Sequence, residues 1–292
     1  MSTEIEPADK TTRAGSRFDL DHPRYKWVAL SNTTLGTLLA AVNASIVLIS
    51  LPAIFRGIDL NPLSPGNISY LLWMLMGYLV ATAVLVVPFG RLGDMFGRVR
   101  IYNIGFAVFT VAAIALSFDP FHLGAGAVWL IVWRVVQGVG GAMLMASSSA
   151  ILTDAFPANQ RGMALGVNMV TAVAGSFLGL LIGGALAEWH WQAIFWVGVP
   201  IGLAGTVWSM RSLREIGQRT PGRLDWAGTI TFGVGLTVLL IGITYGIQPY
   251  GQSTTGWTNP AVLGSIVARL VLLVVFCVVE LKVAQPMVNI RL

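Results

Sequence analysis

The sequence is poor in charged residues and in cysteine, and each scarcity excludes a class of protein. Only 11% of its 292 residues are charged, whereas a soluble domain carries roughly 25%, so a soluble globular fold is excluded. Its one cysteine, Cys277, cannot form a disulfide within the chain. The sequence has no nucleotide-binding loop, metal-ligand spacing or nucleophile motif, so it predicts neither an enzyme nor a bound cofactor or metal.

Apolar residues are abundant instead, and they form long runs. They make up 55% of the chain, and its mean hydropathy is +0.74. A helix satisfies its own backbone hydrogen bonds and crosses a bilayer with about 20 apolar residues, so the runs predict an all-α polytopic membrane protein. The eight predicted spans are approximately 27–55, 69–90, 101–118, 125–153, 163–187, 192–211, 225–247 and 261–280.

Lysine and arginine are distributed unevenly between the two ends of these spans. Fifteen of the eighteen fall on one side, Arg56 falls on the other, and Arg134 and Arg269 lie inside spans. Because loops rich in Lys and Arg stay in the cytoplasm, both ends of the chain are predicted to be cytoplasmic, with the protein in the inner membrane. The net charge of +5 then reflects membrane topology, and no nucleic-acid partner is predicted.

The chain divides by composition into four segments. Residues 1–25 are polar and lack the apolar core of a signal peptide, so they are predicted to form a disordered cytoplasmic tail. Residues 26–211 contain six spans, and residues 212–223 form a charged cytoplasmic linker. Residues 224–292 contain a two-helix hairpin and a cytoplasmic end. The lipid bilayer is the first predicted partner.

A stretch rich in glycine and arginine, residues 90–100, separates the second and third spans. Its glycines allow a sharp reversal, and Asp94 is the only acid among three arginines, so it has a ready ion-pair partner. These residues predict a short helix–loop–helix corner, and the alternative is a generic positively charged loop. The stretch resembles the signature loop of the major facilitator superfamily at Gly90, Leu92, Gly93, Asp94, Gly97 and Arg98. The resemblance implies a conformational gate loop made of Gly90, Asp94, Gly97 and Arg98.

The fourth span contains an arginine that would be costly in lipid. Arg134 and Gln137 are three residues apart and therefore on one helix face. An arginine inside a span is unfavourable unless it faces protein or water, so both residues are expected to face a central aqueous cavity. The alternative is that the Arg134 side chain extends to the outer membrane surface. The pair resembles the family's Arg-x-x-Gln-Gly motif, and that resemblance links Arg134 to proton coupling.

Asn43 matches the family pattern only in part. Residues 43–52 resemble a signature of the family's fourteen-helix drug:proton antiporters, but Asn43 stands where that branch has an aspartate. The resemblance places Asn43 at the cavity with Arg134 and Gln137. An amide forms hydrogen bonds but does not take up or release a proton near neutral pH. Whether this position takes part in proton coupling is therefore open. Packing between helices is the alternative role.

Glycine recurs at every fourth position of the fifth span. Gly175, Gly179 and Gly183, with Gly184 beside them, predict a smooth face for close helix packing. The spacing resembles an antiporter motif of the same family, in which Leu180 replaces a proline. A plain packing face is the alternative.

Arg269 is the second arginine inside a span, and no family motif gives it a role. It lies nine residues into the run 261–280, about 13 Å from the outer end at 1.5 Å per residue. Lipid exposure at that depth is costly, so its side chain is expected to face another span or a water-filled crevice. Extension of the side chain to the outer surface is the alternative.

These motifs together resemble a transporter of the major facilitator superfamily, in its fourteen-helix drug:proton antiporter branch. The resemblance implies a six-helix N-terminal half made of 3+3 inverted repeats, plus two additional helices. It implies alternating-access, proton-coupled efflux of a lipophilic or cationic small molecule, with a missing C-terminal half or a second copy as partner. The alternatives are a truncated or half-length protein without transport of its own, and an uncoupled facilitator or uptake carrier.

Overall fold

The computed structural model of the chain describes residues 24–61, 64, 67–187, 189–217, 225–247 and 256–282. Most of the predicted tail, part of the predicted linker and the last residues of the chain lie outside this description. Within the described residues the regular structure is helical, with no strand. The prediction of an all-α polytopic protein is therefore confirmed.

Nine α-helices and one short 3-10 helix form the described part of the chain. They are α1 (Tyr25–Gly57), α2 (Ile68–Phe96), α3 (Arg98–Ser117), α4 (Leu123–Ala155), a 3-10 helix (Ala158–Gln160), α5 (Arg161–Ala187), α6 (Ala193–Trp196), α7 (Gly198–Ser212), α8 (Trp226–Ile247) and α9 (Pro260–Lys282). With α6 and α7 counted together, eight segments are long and apolar enough to cross a membrane, as predicted.

The sixth span is interrupted close to its start. Helix α6 ends at Trp196 and α7 begins at Gly198. Pro200 has no N–H to donate to the Trp196 carbonyl oxygen four residues earlier, so the helical hydrogen bonding lapses at this point. The span predicted as one helix is therefore a short turn followed by a longer helix.

Helices α1 and α4 are the longest, with 33 residues each. At 1.5 Å per residue each is about 50 Å long, which exceeds the ~30 Å hydrocarbon core of a bilayer. Both helices must therefore tilt or extend beyond the hydrocarbon, and they bring residues from both membrane surfaces into one bundle.

The bundle is organised around α1 and α4. Helix α1 packs along α5, while α4 packs along both α2 and α3. Where α1 ends, the core contains Ile54, Phe55 and Leu130. Where α1 begins, it contains the aromatic rings of Tyr102 and Phe106, both 0% exposed. Helices α8 and α9 pair with each other, and α8 contacts the bundle through α2.

The reversal between α2 and α3 takes a single residue. Gly97 alone separates Phe96 at the end of α2 from Arg98 at the start of α3, and its φ of 114° is one that side chains rarely allow. Within residues 90–100, predicted as a short helix–loop–helix corner, the chain turns only at Gly97, because helical hydrogen bonding continues to the Gly97 N–H, 2.8 Å from the Gly93 carbonyl oxygen. We call the end of the bundle where α1 begins and α2 ends the basic side.

Helix α5 has one buried face and one broad apolar face. Its buried positions are Ala164, Gly175, Gly179 and Gly183. Its exposed face carries five large apolar side chains, each more than half exposed, at Met169, Val170, Val173, Phe177 and Leu181. Lipid tails are as apolar as these side chains, so a bilayer can cover this face.

Candidate functional site

Arg134 lies at the centre of a buried polar cluster between α1 and α4. Its Nη1 donates hydrogen bonds to Asn43 Oδ1 at 2.6 Å and to Gln137 Oε1 at 2.7 Å. Gln137 is one turn further along α4, whereas Asn43 comes from α1, 91 residues earlier in the chain. The structure therefore brings together the three residues that were predicted to share one site.

Two groups of α2 complete the surroundings of the Arg134 guanidinium. Its central carbon lies 4.5 Å from the centroid of the Tyr78 ring, well within the ~6 Å range of cation–π attraction. Its Nε donates a long hydrogen bond of 3.5 Å to the Met74 carbonyl oxygen. The partners that the structure gives this charge are amide oxygens, a backbone carbonyl and an aromatic face, all of them neutral.

The cluster is enclosed by protein. Arg134 is 1% exposed, Asn43 2% and Gln137 0%. A buried charge is tolerated only when hydrogen bonds replace its hydration, and the short bonds to the two amides do so here. In this conformation the cluster is closed, and its exposure to an aqueous cavity stays a prediction. Gln137 Nε2 is buried without a hydrogen-bond partner among the described residues.

On the basic side, Arg98 bridges two acidic residues. Its Nε and Nη2 donate to Asp94 Oδ1 at 2.9 and 2.7 Å, and its Nη1 donates to Asp154 Oδ1 at 2.6 Å. Asp94 lies near the end of α2, Arg98 begins α3 and Asp154 lies near the end of α4. One guanidinium therefore joins three helix ends. The three side chains are 24 to 33% exposed, so solvent screens this bridge only in part.

The two glycines of the predicted gate differ in their surroundings. A Cβ on Gly97 would lie 2.6 Å from a carboxylate oxygen of Glu215, whereas a Cβ on Gly90 would meet no atom within 4 Å. Packing therefore requires a glycine at the turning point, and it does not require one at position 90 in this conformation.

Three glycines of α5 form the contact with α1. A Cβ on Gly175, Gly179 or Gly183 would lie 3.0 Å or less from an atom of α1, and on Gly179 the nearest atom is the Val42 carbonyl oxygen at 2.5 Å. The missing side chains therefore let the two backbones touch. Gly184 corrects the predicted set, because a Cβ there would meet nothing within 4 Å. Gly184 is rotated about 100° around the helix from Gly183 and faces away from α1.

Arg269 lies against α8. Its Nη1 fills the space left by the missing side chain of Gly235, and its guanidinium carbon is 6.0 Å from the centroid of the Phe232 ring. Nη1 is buried and has no hydrogen-bond partner in the described part of the chain. The side chain is thus placed against another span, while the polar partner that we expected for it stays a prediction.

Two residues of these sites were not predicted from the sequence, Tyr78 and Asp154. Asp154 gives a usable signal, because an acid at the basic-side end of a span is close to the arginines that end the neighbouring spans. Tyr78 gives none, because an aromatic residue in an apolar helix is indistinguishable from ordinary core until the neighbouring helix is known.

The chemistry available at the central cluster is that of ligand binding. A guanidinium, two amides and a tyrosine ring bind other groups through hydrogen bonds and cation–π contact. Among the residues that the structure describes, no three acidic, histidine or cysteine side chains are grouped so that they could hold a metal ion.

Comparison with known proteins points to one family. The profile described as Major Facilitator Superfamily matches residues 33–287. An uncharacterized MFS-type transporter of Mycobacterium tuberculosis is 33% identical over 244 residues, which are 83% of this chain and 40% of that protein. The multidrug efflux pump LfrA of Mycolicibacterium smegmatis is 36% identical over 227 residues, which are 77% of this chain and 41% of the pump.

A third relative is the tetracenomycin C resistance and export protein of Streptomyces glaucescens. It is 29% identical over 264 residues, which are 89% of this chain and 46% of that protein. The chain thus spans less than half the length of the curated relatives that it matches.

Proposed function

The chain belongs to the major facilitator superfamily, and we propose that it is the N-terminal part of a secondary transporter that exports lipophilic or cationic compounds, in the family's fourteen-helix branch. The observation that carries the proposal is the Arg98 bridge. It joins the ends of three helices by charges that a conformational change can separate and rejoin. Two relatives, a multidrug efflux pump and a tetracenomycin C resistance and export protein, support export as the direction.

The Asp94–Arg98–Asp154 bridge acts in this proposal as a conformational gate. While Arg98 is bonded to both acids, the ends of α2, α3 and α4 are held together on the basic side. Breaking one bond lets an end move, and the partial exposure of all three side chains keeps the cost of breaking it modest. Asp94 then controls the rate of the transition and makes no contact with substrate.

The central cluster forms part of the substrate cavity in this proposal. When the bundle opens, Asn43, Arg134 and Gln137 line the space between α1 and α4. The support is their shared contact and the free Nε2 donor of Gln137. Compounds that accept hydrogen bonds or present an aromatic face fit these groups, and the Tyr78 ring adds a surface for cations.

An uncoupled carrier is the second candidate, and one observation favours it. The partners of Arg134 in the structure are neutral, and the Asn43 amide does not take up or release a proton at neutral pH. A proton-coupled mechanism therefore requires a titratable acid outside this cluster. The primary proposal is proton-coupled efflux with that acid in another part of the transporter.

A complete transporter of this kind requires a second helical bundle. The relatives are more than twice as long as the segment that they share with this chain, and the apolar face of α5 is open to a partner. We propose that the second bundle is either a continuation of the same polypeptide or a second copy, and that the inner membrane holds both chain ends on its cytoplasmic side.

Efflux from a bacterial strain without its main drug pumps tests this function. The chain is produced alone and with any reading frame that continues after Leu292, the cells are loaded with ethidium, and its loss is followed with and without a protonophore. We expect faster loss than in the vector control, abolished by the protonophore. Loss that persists with the protonophore indicates the uncoupled carrier. Loss no faster than the control in either form, for ethidium and for a panel of other lipophilic cations, contradicts export.

The gate is tested in whichever form exports ethidium. Asp94→Asn should lower the maximal rate at least about tenfold, because it weakens a charge-assisted bond, while changing KM less than about twofold. Arg100→Gln, at an exposed neighbouring position, is the matched control and should behave like the wild type. An unchanged maximal rate with lost binding would contradict the role.

Thiol labelling of intact cells tests the orientation. In a Cys277→Ser background, Arg56→Cys should react with a membrane-impermeant maleimide, and Arg100→Cys should react only after the membrane is permeabilised. The reverse pattern would contradict the proposed cytoplasmic location of the basic side.

A further inference from the structure

The segment that follows α7 returns to the corner between α2 and α3. Within it, Glu215 Oε1 accepts a hydrogen bond from the backbone N–H of Arg98 at 2.6 Å and a longer one from Val99 at 3.4 Å. These N–H groups lie in the first turn of α3, where a helix has no carbonyl of its own to pair with them. A carboxylate at this place also interacts favourably with the positive end of the helix dipole.

The chain on both sides of Glu215 is fixed as well. The Tyr25 hydroxyl donates to the Arg214 carbonyl oxygen at 3.1 Å and accepts from the Arg214 N–H at 3.0 Å. A Cβ on Gly217 would lie 2.6 Å from Asp154 Oδ2, so the absence of a side chain at Gly217 leaves space for the Asp154 carboxylate. The void left among these residues is about 10 Å³, which is no larger than about one water molecule.

The corner itself is shaped around the Glu215 carboxylate. A Cβ on Gly97 would lie 2.6 Å from Glu215 Oε2, and the N–H groups of Arg98 and Val99, which follow the turn, donate to Glu215 Oε1. The turn and the segment after α7 therefore fit each other at both oxygens of one side chain.

We propose that Glu215 is a positioning residue for Arg98 and that it couples the linker after α7 to the Asp94–Arg98–Asp154 bridge. Arg98 is held at both ends, since Glu215 binds its backbone while Asp94 and Asp154 bind its guanidinium. A movement that breaks one set of bonds displaces Arg98 from the other set. The inference rests on the proposed function only in treating the corner as a gate.

Hydrogen exchange of the purified chain in lipid nanodiscs tests the contact without a transport assay. In Glu215→Ala, peptides covering residues 97–102 should exchange about fivefold faster, the factor expected when a helix loses its N-terminal cap. Glu215→Gln keeps an acceptor oxygen and should restore most of the protection. Ile216→Ala, a neighbour that is 40% exposed, is the matched control and should leave exchange unchanged.

Three outcomes of this experiment would overturn the contact. The first is equal exchange in the wild type and Glu215→Ala. The second is a Gln variant as unprotected as the Ala variant. The third is faster exchange throughout α1 to α5, which would show general unfolding instead of a local loss.

The coupling itself is tested by reciprocity, because an interaction between two sites acts equally in both directions. Asp154→Asn should speed exchange at residues 213–217. In that same peptide, the double variant with Glu215→Ala should raise the logarithm of the exchange rate by less than the sum of the two single-variant changes. Additive effects would overturn the coupling. A failed efflux assay would contradict the proposed function and would leave the outcome of these exchange measurements standing.

Discussion

The two arginines inside spans, Arg134 in the bundle and Arg269 in the hairpin, have opposite surroundings. Arg134 is 1% exposed and bonds to amide oxygens from two helices. Arg269 rests on Gly235 and has a buried Nη1 without a partner among the described residues. A bundle surrounds a charge with several helices that can each supply an acceptor, whereas a hairpin offers one neighbour. The charge with several adjacent helices therefore has amide acceptors, whereas the charge with one adjacent helix has a buried N–H group without an acceptor among the described residues.

Removing an acceptor from Arg134 should have the largest effect on stability. Asn43→Leu deletes the 2.6 Å bond and leaves a buried charge short of a partner, which should cost about 3 kcal/mol or more. Asn43→Asp restores a bond to the guanidinium and should be at least as stable as the wild type. Thermal unfolding of both variants in nanodiscs measures the difference, and equal melting temperatures for Leu and Asp would contradict an enclosed charge.

The contact between α1 and α5 allows the bundle and the hairpin to be compared by the packing of their glycines. Gly179→Ala places a Cβ against the Val42 carbonyl oxygen and should destabilise the bundle by about 1–3 kcal/mol. Gly184→Ala in the same helix and Gly264→Ala in the hairpin meet open space. Both should be neutral or slightly stabilising, since Ala favours helix over Gly by roughly 0.5–1 kcal/mol. A Gly184 variant as unstable as the Gly179 variant would disprove the assignment of the packing face.

Breaking the Arg98 bridge should have an intermediate effect on stability, because its charges are paired but partly solvated. Asp154→Asn should lower stability by about 1 kcal/mol, the upper end for partly exposed ion pairs. Raising the salt concentration should reduce the difference between the variant and the wild type, because salt screens exposed charges. Unfolding measured at two ionic strengths provides the test. A difference independent of salt would mean that the bridge is more shielded than its 24 to 33% exposure indicates.

Removing the hairpin arginine should have the smallest effect. Arg269→Leu gives up a contact with the Phe232 ring worth about 0.5–1 kcal/mol and removes an unpartnered buried N–H. The two changes oppose each other, so the net change should stay below about 1 kcal/mol. A melting-temperature drop as large as that of Asn43→Leu would reveal a strong partner for Arg269 and abolish the contrast between bundle and hairpin.

The parts of the fold that were predicted depend on local regularities. The eight spans follow from hydropathy and length, and the Arg134–Gln137 pair follows from the helical repeat. Asn43 joined that pair only through the family resemblance, because nothing in the spacing connects residues 91 positions apart.

The parts that were not predicted depend on how each helix is rotated about its own axis. That rotation decides that Tyr78 lies against Arg134 and that Gly184 misses α1. The corner shows a further limit. Glycines and charges favour turns, yet α2 continues through residues 90–96 because local preference is a weak determinant once tertiary packing contributes.

The neutral surroundings of Arg134 have an electrical consequence. A guanidinium remains protonated in proteins, so the bundle carries a whole charge whose partners in the structure are amide oxygens, a carbonyl and a ring. An elementary charge that crosses the full membrane field changes its energy by about 2.3 kcal/mol per 100 mV. A rocking movement that carries Arg134 through a tenth of that field would therefore change the balance between two conformations by about 0.2 kcal/mol per 100 mV. Such a protein responds to membrane voltage through its own side chain.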